Sequence, residues 1–133
     1  MEGQEILQRA MTLKEQSEES ENQLNFVMQQ IRELLEFSKI LEELEKNKEK
    51  EILAPLGKGV YAKADRKDEK LFVEVGVGVV VRKTPKETKK VIEDQLKKFS
   101  EARIQLTAQL EVFKEEFRYM LEQVERLKKK RSN

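Results

Sequence analysis

The sequence predicts a mostly α-helical chain with a small β platform: one long antiparallel coiled-coil hairpin whose two helices are joined through two central β-hairpins. Three observations predict this. Two long charged segments carry apolar or small residues in unbroken steps of four and three. Between them, residues 52–82 read ILAPLGKGVYAKADRKDEKLFVEVGVGVVVR, short apolar β-type runs punctuated by Gly, Pro and Asp. The chain then re-enters helix through Thr84-Pro85-Lys86-Glu87, a complete set of N-terminal helix signals. The expected organisation is one domain over 1–133, with the first helix in 1–50, the two hairpins in 51–83 and the second helix in 84–133.

Composition fits that architecture. Of 133 residues, 40% are charged and 38% apolar, and Trp is absent. Such a chain is too polar for a thick globular core and is typical of long helices that bury a narrow stripe. Disorder is the rival for charge-rich chains, but regular apolar spacing argues against it. The net charge of +1 conceals an asymmetry: residues 1–51 carry thirteen acids and seven bases, the remainder thirteen acids and twenty bases. An acidic helix beside a basic one accounts for this, because the bases of the second helix are interleaved with Glu rather than clustered. The competing account is a basic surface for nucleic acid or an acidic partner.

Cysteine and histidine are both absent, which excludes disulfides, thiol chemistry, His–metal sites and Ser–His catalysis. No apolar run approaches the roughly 20 residues that span a bilayer. The start, MEGQEILQRA, is acidic and lacks an apolar signal core, so the expected compartment is the cytoplasm. Richness in Lys and Glu resembles hyperthermophile composition, as any coiled coil would.

In the first helix the repeat runs Ile6, Ala10, Leu13, Ser17, Ser20, Leu24, Val27, Ile31, Leu34, Ser38, Leu41, eleven positions of which eight are apolar. A sustained 3.5-residue repeat keeps one stripe facing a partner helix and marks a left-handed coiled coil. At 1.5 Å per residue the seam covers about 50 Å. Leu7, Met11, Phe26, Met28, Leu35, Phe37, Ile40 and Leu44 fall off the stripe. Some of these widen the buried face; Leu7 and Met11, far from the middle of the chain, are either ordinary surface scatter or contacts for something else. The helix fades in KNKEKE, residues 46–51.

In the middle, residues 52–56 form a short strand, and Pro55, which cannot donate to a ladder, places it at an edge or at a bulge. Gly57-Lys58-Gly59 turns into residues 60–64; residues 65–69 connect; residues 71–75 and 79–82 pair about Gly76-Val77-Gly78. Four short valine-rich strands cannot enclose a core, and their faces and edges call for strands from other chains. An obligate oligomer held at its middle follows. The glycines lack the spacing and the following helix of a phosphate loop, so no nucleotide or other cofactor is expected.

The second seam is Ile92, Leu96, Phe99, Arg103, Leu106, Leu110, Phe113, Phe117, Met120, Val124, Leu127, again eleven positions, ten of them apolar. Folding back, Ile92 is expected to meet Leu41 and Leu127 to meet Ile6. Arg103 either lays its stem in the seam and extends its charge to solvent, which is the favoured reading, or fixes the register as a costly polar residue. Phe113, Phe117, Tyr119 and Met120 crowd the outer half, opposite Ser17 and Ser20; either large groups pack on small ones, or this end pairs loosely and shows apolar surface. Lys128 to Arg131 suit the negative end of a helix dipole and equally form a short basic run. Carboxylates abound on solvated helices with no pocket to shift them, and no serine has a base, so catalysis has no foothold.

Helix, two hairpins and helix with matched seams resembles the α-type subunit of the prefoldin family. Ala54-Pro55-Leu56-Gly57-Lys58-Gly59-Val60-Tyr61 is similar to the family's first hairpin, Val73-Glu74-Val75-Gly76-Val77-Gly78-Val79 to its second, and Thr84 to Lys90 to its helix re-entry. The resemblance implies a prefoldin-like fold and an ATP-independent holding chaperone without cofactor or enzymatic activity. In the family two α and four β subunits join hairpins into a double β-barrel platform, and six coiled coils hold unfolded clients at their tips for a group II chaperonin. Carried over, the platform residues are Leu56, Val60, Tyr61, Phe72, Val73, Val75, Val79 and Val81. The client-contact residues are Ile6, Leu7, Met11, Tyr119, Met120, Leu121, Val124 and Leu127. The implied partners are β-type prefoldin subunits, unfolded proteins and the chaperonin, with neither nucleic acid nor membrane. Two alternatives stay open: a structural coiled-coil scaffold or filament subunit without client binding, and a nucleic-acid module using residues 82–98 and 128–131, whose affinity would fall steeply with salt.

Overall fold

The computed structural model describes residues 2–46 and 51–132. Helix α1 runs Glu2–Lys46, strands β1 to β4 run Glu51–Gly57, Val60–Asp65, Leu71–Gly76 and Val79–Lys83, and helix α2 runs Pro85–Ser132. Residues 47–50, most of the run in which the first helix was expected to fade, lie outside the described residues. The chain forms two compact units: residues 1–31 with 97–133, and residues 32–96.

Apart from Arg103, both seams pack as the heptad arithmetic requires. All eleven seam positions of α1 are buried or half-buried, the three serines included. Ser20 is as well covered as its apolar neighbours, since its small side chain needs little space in the seam. In the first unit Leu13, Val27 and Leu110 are buried. Ile6 lies with Met120, Leu13 and Ser17 with Phe113 and Phe117, and Val27 with Leu106. Ascending numbers on α1 thus meet descending numbers on α2, so the pairing is antiparallel.

Arg103 departs from its expected place. It is exposed, and Ala102 is the half-buried residue at that level. Burying a guanidinium without a partner is costly, whereas a methyl group one position away fills the same narrow space. The stripe on α2 therefore steps from Phe99 to Ala102 to Leu106.

In the second unit the best-covered seam residues are Leu41, 0% exposed, and Ile92, 4% exposed. The Lys89 ammonium donates to Glu42 Oε1 at 2.9 Å, which sets the turn before Ile92 beside Leu41, as the sequence predicts. That bond holds the Glu42 carboxyl below its ordinary range and raises the Lys89 ammonium above its own.

The start of α2 is a full capping box. Thr84 Oγ1 accepts from the Glu87 backbone N–H at 3.1 Å and donates to Glu87 Oε1 at 3.0 Å, while the Thr84 N–H reaches the same carboxylate oxygen at 3.3 Å. The Thr84 carbonyl accepts from both the N–H and the hydroxyl of Thr88 at 2.9 Å. The Thr84 hydroxyl first, then its backbone N–H, hold the Glu87 carboxyl below its usual range. At the other helix end, Arg66 from the connection between hairpins donates to the carbonyl of Leu44 at 3.5 Å and to that of Glu69 at 3.3 Å, placing a cation on a carbonyl of the last turn of α1.

The four strands form two separate antiparallel pairs, β1 with β2 and β3 with β4. Ile52 pairs with Ala64, Ala54 with Ala62 and Pro55 with Tyr61, after which the register shifts between Pro55 and Gly57. Leu56 is the unpaired extra residue, so Pro55 stands next to a bulge as its missing N–H requires. In the second pair Leu71 faces Lys83 and Val73 faces Val81, with the same shift between Glu74 and Gly76. Lys58 and Gly59 turn the first hairpin at φ 54° and 76°, both left-handed, as a tight two-residue hairpin turn demands.

Two stability tests follow. Leu41→Ala should cost about 2–5 kcal/mol, read as a lowered midpoint in urea, because the site is fully enclosed. Thr84→Ala should cost about 1 kcal/mol. Because the Glu87 value is lowered on folding, its contribution is present above the ordinary carboxylate range and is lost as pH falls through the lowered value; Glu87→Gln should remove that part of the acid loss in a pH series of melts.

Candidate functional site

Two surfaces stand out, one in each unit. The first is the pair of hairpins. From Ile52 to Ala64, each position of the first hairpin has a counterpart nineteen residues later in the second: the bulged residues Leu56 and Val75, the glycines Gly57 and Gly76, and the pairs Leu53–Lys63 and Phe72–Arg82 all correspond. The two hairpins share a register and a bulge but not a turn: Lys58 is left-handed at φ 54°, and its counterpart Val77 is not.

Burial alternates across each. On the second hairpin Leu71, Val73, Val81 and Lys83 share a half-buried face, and Phe72, Glu74, Val80 and Arg82 share an exposed one. On the first, Ala54, Ala62 and Ala64 are half-buried. Of the eight platform candidates, Leu56, Val60, Tyr61, Phe72, Val75 and Val79 are exposed, whereas Val73 and Val81 belong to the half-buried face. Leu53, Val77 and Val80 are equally exposed and are absent from the sequence-derived set. Period-two alternation from Phe72 and Tyr61 would have placed Val80 and Leu53 on the outer faces, and Val77 sits in the turn itself.

Phe72 is 74% exposed, yet it is held in place. The Arg82 guanidinium lies 5.7 Å over its ring, within cation–π range, and pairs with Asp68 Oδ2. Asp68 Oδ1 in turn accepts from the Lys70 N–H at 2.6 Å. An exposed aromatic group backed by a cation is suited to insertion into a partner. With only two strands per sheet, every strand also leaves an edge unpaired. Ten large apolar side chains of the strands and turns are exposed, far beyond the single scattered residues normal on a surface.

The second surface lies in the other unit, along the early turns of α1 and the late turns of α2. Of the eight client-contact candidates, Leu7, Met11, Tyr119 and Leu121 are exposed, while Ile6, Met120, Val124 and Leu127 are half-buried in the seam. Ile6 and Met120 line a shallow groove of about 490 Å³ with Tyr119. A second groove of about 410 Å³ runs beside Leu13 and Ser17 on one helix and Phe113 and Phe117 on the other. Ser17 is the reason for that groove: a small side chain opposite two phenyl rings leaves their edges uncovered, so large-on-small packing and apolar exposure coexist here. Ile104 and Val112 are further exposed apolar residues of α2 that the sequence reading did not single out; both fall outside the heptad stripe and carry no periodic signal.

Among the described residues no group of three acidic, Cys or His side chains is placed to hold a metal ion, and no helix is long and apolar enough to cross a membrane. Gly57, Gly59, Gly76 and Gly78 all lie at the hairpin turns.

The family model for prefoldin subunits matches residues 13–130. No curated protein matches the chain. Among solved structures, the cryo-EM structure of filamentous PFD from Methanocaldococcus jannaschii is similar, with a TM-score of 0.71 at 20% identity over 90% of this chain and 98% of that one. At that identity the likeness is one of fold: two long helices joined by two small antiparallel hairpins.

Proposed function

The chain belongs to the prefoldin family, a family of oligomeric, non-enzymatic chaperones, and from that premise we propose that it is an α-type holding subunit that captures unfolded proteins without ATP and passes them to a group II chaperonin. The observation that carries this is the double set of exposed apolar residues, on unpaired hairpins and on the outer turns of the helix pair. The hairpins join those of β-type subunits, two α with four β, through Leu56, Val60, Tyr61, Phe72, Val73, Val75, Val79 and Val81. Clients meet Leu7, Met11, Tyr119 and Leu121 first, and Ile6, Met120, Val124 and Leu127 as the seam yields. The compartment is the cytoplasm.

The mechanism is multivalent capture. One pair of helix ends offers little apolar area, and burying a few hundred Å² at about 25 cal/mol per Å² is largely offset by the entropy of association. Several such ends on one client raise avidity by orders of magnitude. Met11 and Met120, with flexible thioether side chains, accommodate partners of no fixed sequence.

A second reading, a filament subunit, is favoured by two observations. The similar archaeal structure is filamentous, and the two hairpins repeat one register and one bulge. A first hairpin that accepts the second hairpin of another copy makes a head-to-tail contact, which propagates unless it closes.

Native mass separates these readings. The purified chain mixed with a β-type prefoldin subunit should give a species of two plus four, and Val60→Asp with Val79→Asp should abolish it while leaving helix content intact. Long polymers of the chain alone, unaffected by the β-type subunit, would support the filament; a monomer under both conditions would overturn both. The quadruple variant Leu7→Ser, Met11→Ser, Tyr119→Ser, Leu121→Ser should assemble normally yet lose most suppression of aggregation of a denatured model protein, because its exposed positions contribute little to folding.

A further inference from the structure

The two grooves in the unit of residues 1–31 and 97–133 differ in charge, and the difference follows from the helix phase. A residue that follows a seam position lies on one flank of the helix pair, and a residue that precedes one lies on the other. Lys14 follows Leu13, Lys114 follows Phe113 and Arg118 follows Phe117, and these cations rim the groove beside Ser17 against one acid, Glu18. Glu5 precedes Ile6, Arg9 precedes Ala10 and Glu116 precedes Phe117; with Glu115 they make the opposite groove predominantly acidic.

The basic flank also carries exposed apolar side chains. Leu7, Met11 and Leu121 follow Ile6, Ala10 and Met120, so they share the flank of Lys14 and Arg118, and all three are exposed. Among the described residues none of Lys14, Lys114 and Arg118 makes an ion pair. Like charges at i and i+4, as in Lys114 and Arg118, destabilise a helix slightly, and an incoming anion relieves that repulsion. The groove, at about 410 Å³, has the size of a cleft for one or two side chains.

Resting on the reading of these turns as a client site, we propose that the groove beside Ser17 selects unfolded segments in which an apolar side chain is bracketed by Asp or Glu. The apolar group lies against the edges of Phe113 and Phe117, and the carboxylates meet Lys14, Lys114 and Arg118. Acid-flanked segments are thereby held on this flank, and base-flanked ones are disfavoured there.

The test uses the full-length chain and fluorescein-labelled twelve-residue peptides with a central Leu-Phe pair flanked by Glu, by Lys or by Gln. At low salt the Glu-flanked peptide should bind about tenfold more tightly than the Lys-flanked one, as two exposed ion pairs allow, and the gap should shrink as salt screens the rim. Lys114→Glu with Arg118→Glu should reverse the preference, whereas Glu116→Lys on the other flank should leave it. Equal affinity for both peptides, or a preference indifferent to the double reversal, would overturn charge selection. In that event, continued suppression of aggregation of a denatured protein would show that the client reading stands without it, and loss of both would remove the client reading as well.

Discussion

Each long helix owns one narrow apolar stripe, and the rest of the structure depends on that stripe finding its counterpart. With 40% of residues charged, there is no second apolar face on which α1 or α2 could fold independently, and isolated helices gain little from propensity alone. Pairing the two seams covers Leu13, Val27, Leu41, Ile92 and Leu110. It half-covers the other seam positions and leaves the hairpins and much of the helix surface exposed.

That economy explains why the hairpins look incomplete. Two two-stranded sheets bury one small face each, lined by Ala54, Ala62 and Ala64 in the first and by Leu71, Val73 and Val81 in the second. Isolated hairpins of this size are marginal in water. Here they are tied down at their roots rather than through a core. Arg66 bonds the last turn of α1, Asp68 holds Arg82 across the Phe72 ring, and the Thr84–Glu87 box fixes where α2 begins. Rigid roots and apolar, unpaired ends suit a module completed by other chains.

The two flanks of the helix pair show how one heptad repeat can encode two surfaces. Seam residues are chosen for packing, but their sequence neighbours are free. Positions after the seam hold Leu7, Met11, Lys14, Lys114, Arg118 and Leu121, and positions before it hold Glu5, Arg9, Glu116 and Tyr119. A chain that binds unfolded protein through such flanks is able to discriminate by charge while its core stays unchanged.

Much of this was legible in the residues alone, because it depends on local chemistry or on strict periodicity. The seams follow from a 3.5-residue repeat, the bulge beside Pro55 from a missing N–H, the start of α2 from Thr84 and Glu87, and the hairpins from glycines in tight turns. The tertiary structure decided what depends on a neighbour from elsewhere in the chain. Ala102 rather than Arg103 fills the seam because a methyl group fits a narrow space between helices, whereas a guanidinium is costly to bury. Arg66 became a helix-end donor only when folding carried it to Leu44, twenty-two residues away. The phenyl edges of Phe113 and Phe117 are open because the antiparallel register sets Ser17 against them. Sequence thus determined which elements form and where they begin, whereas the pairing of those elements determined which side chains remain exposed, since exposure is a property of what lies opposite.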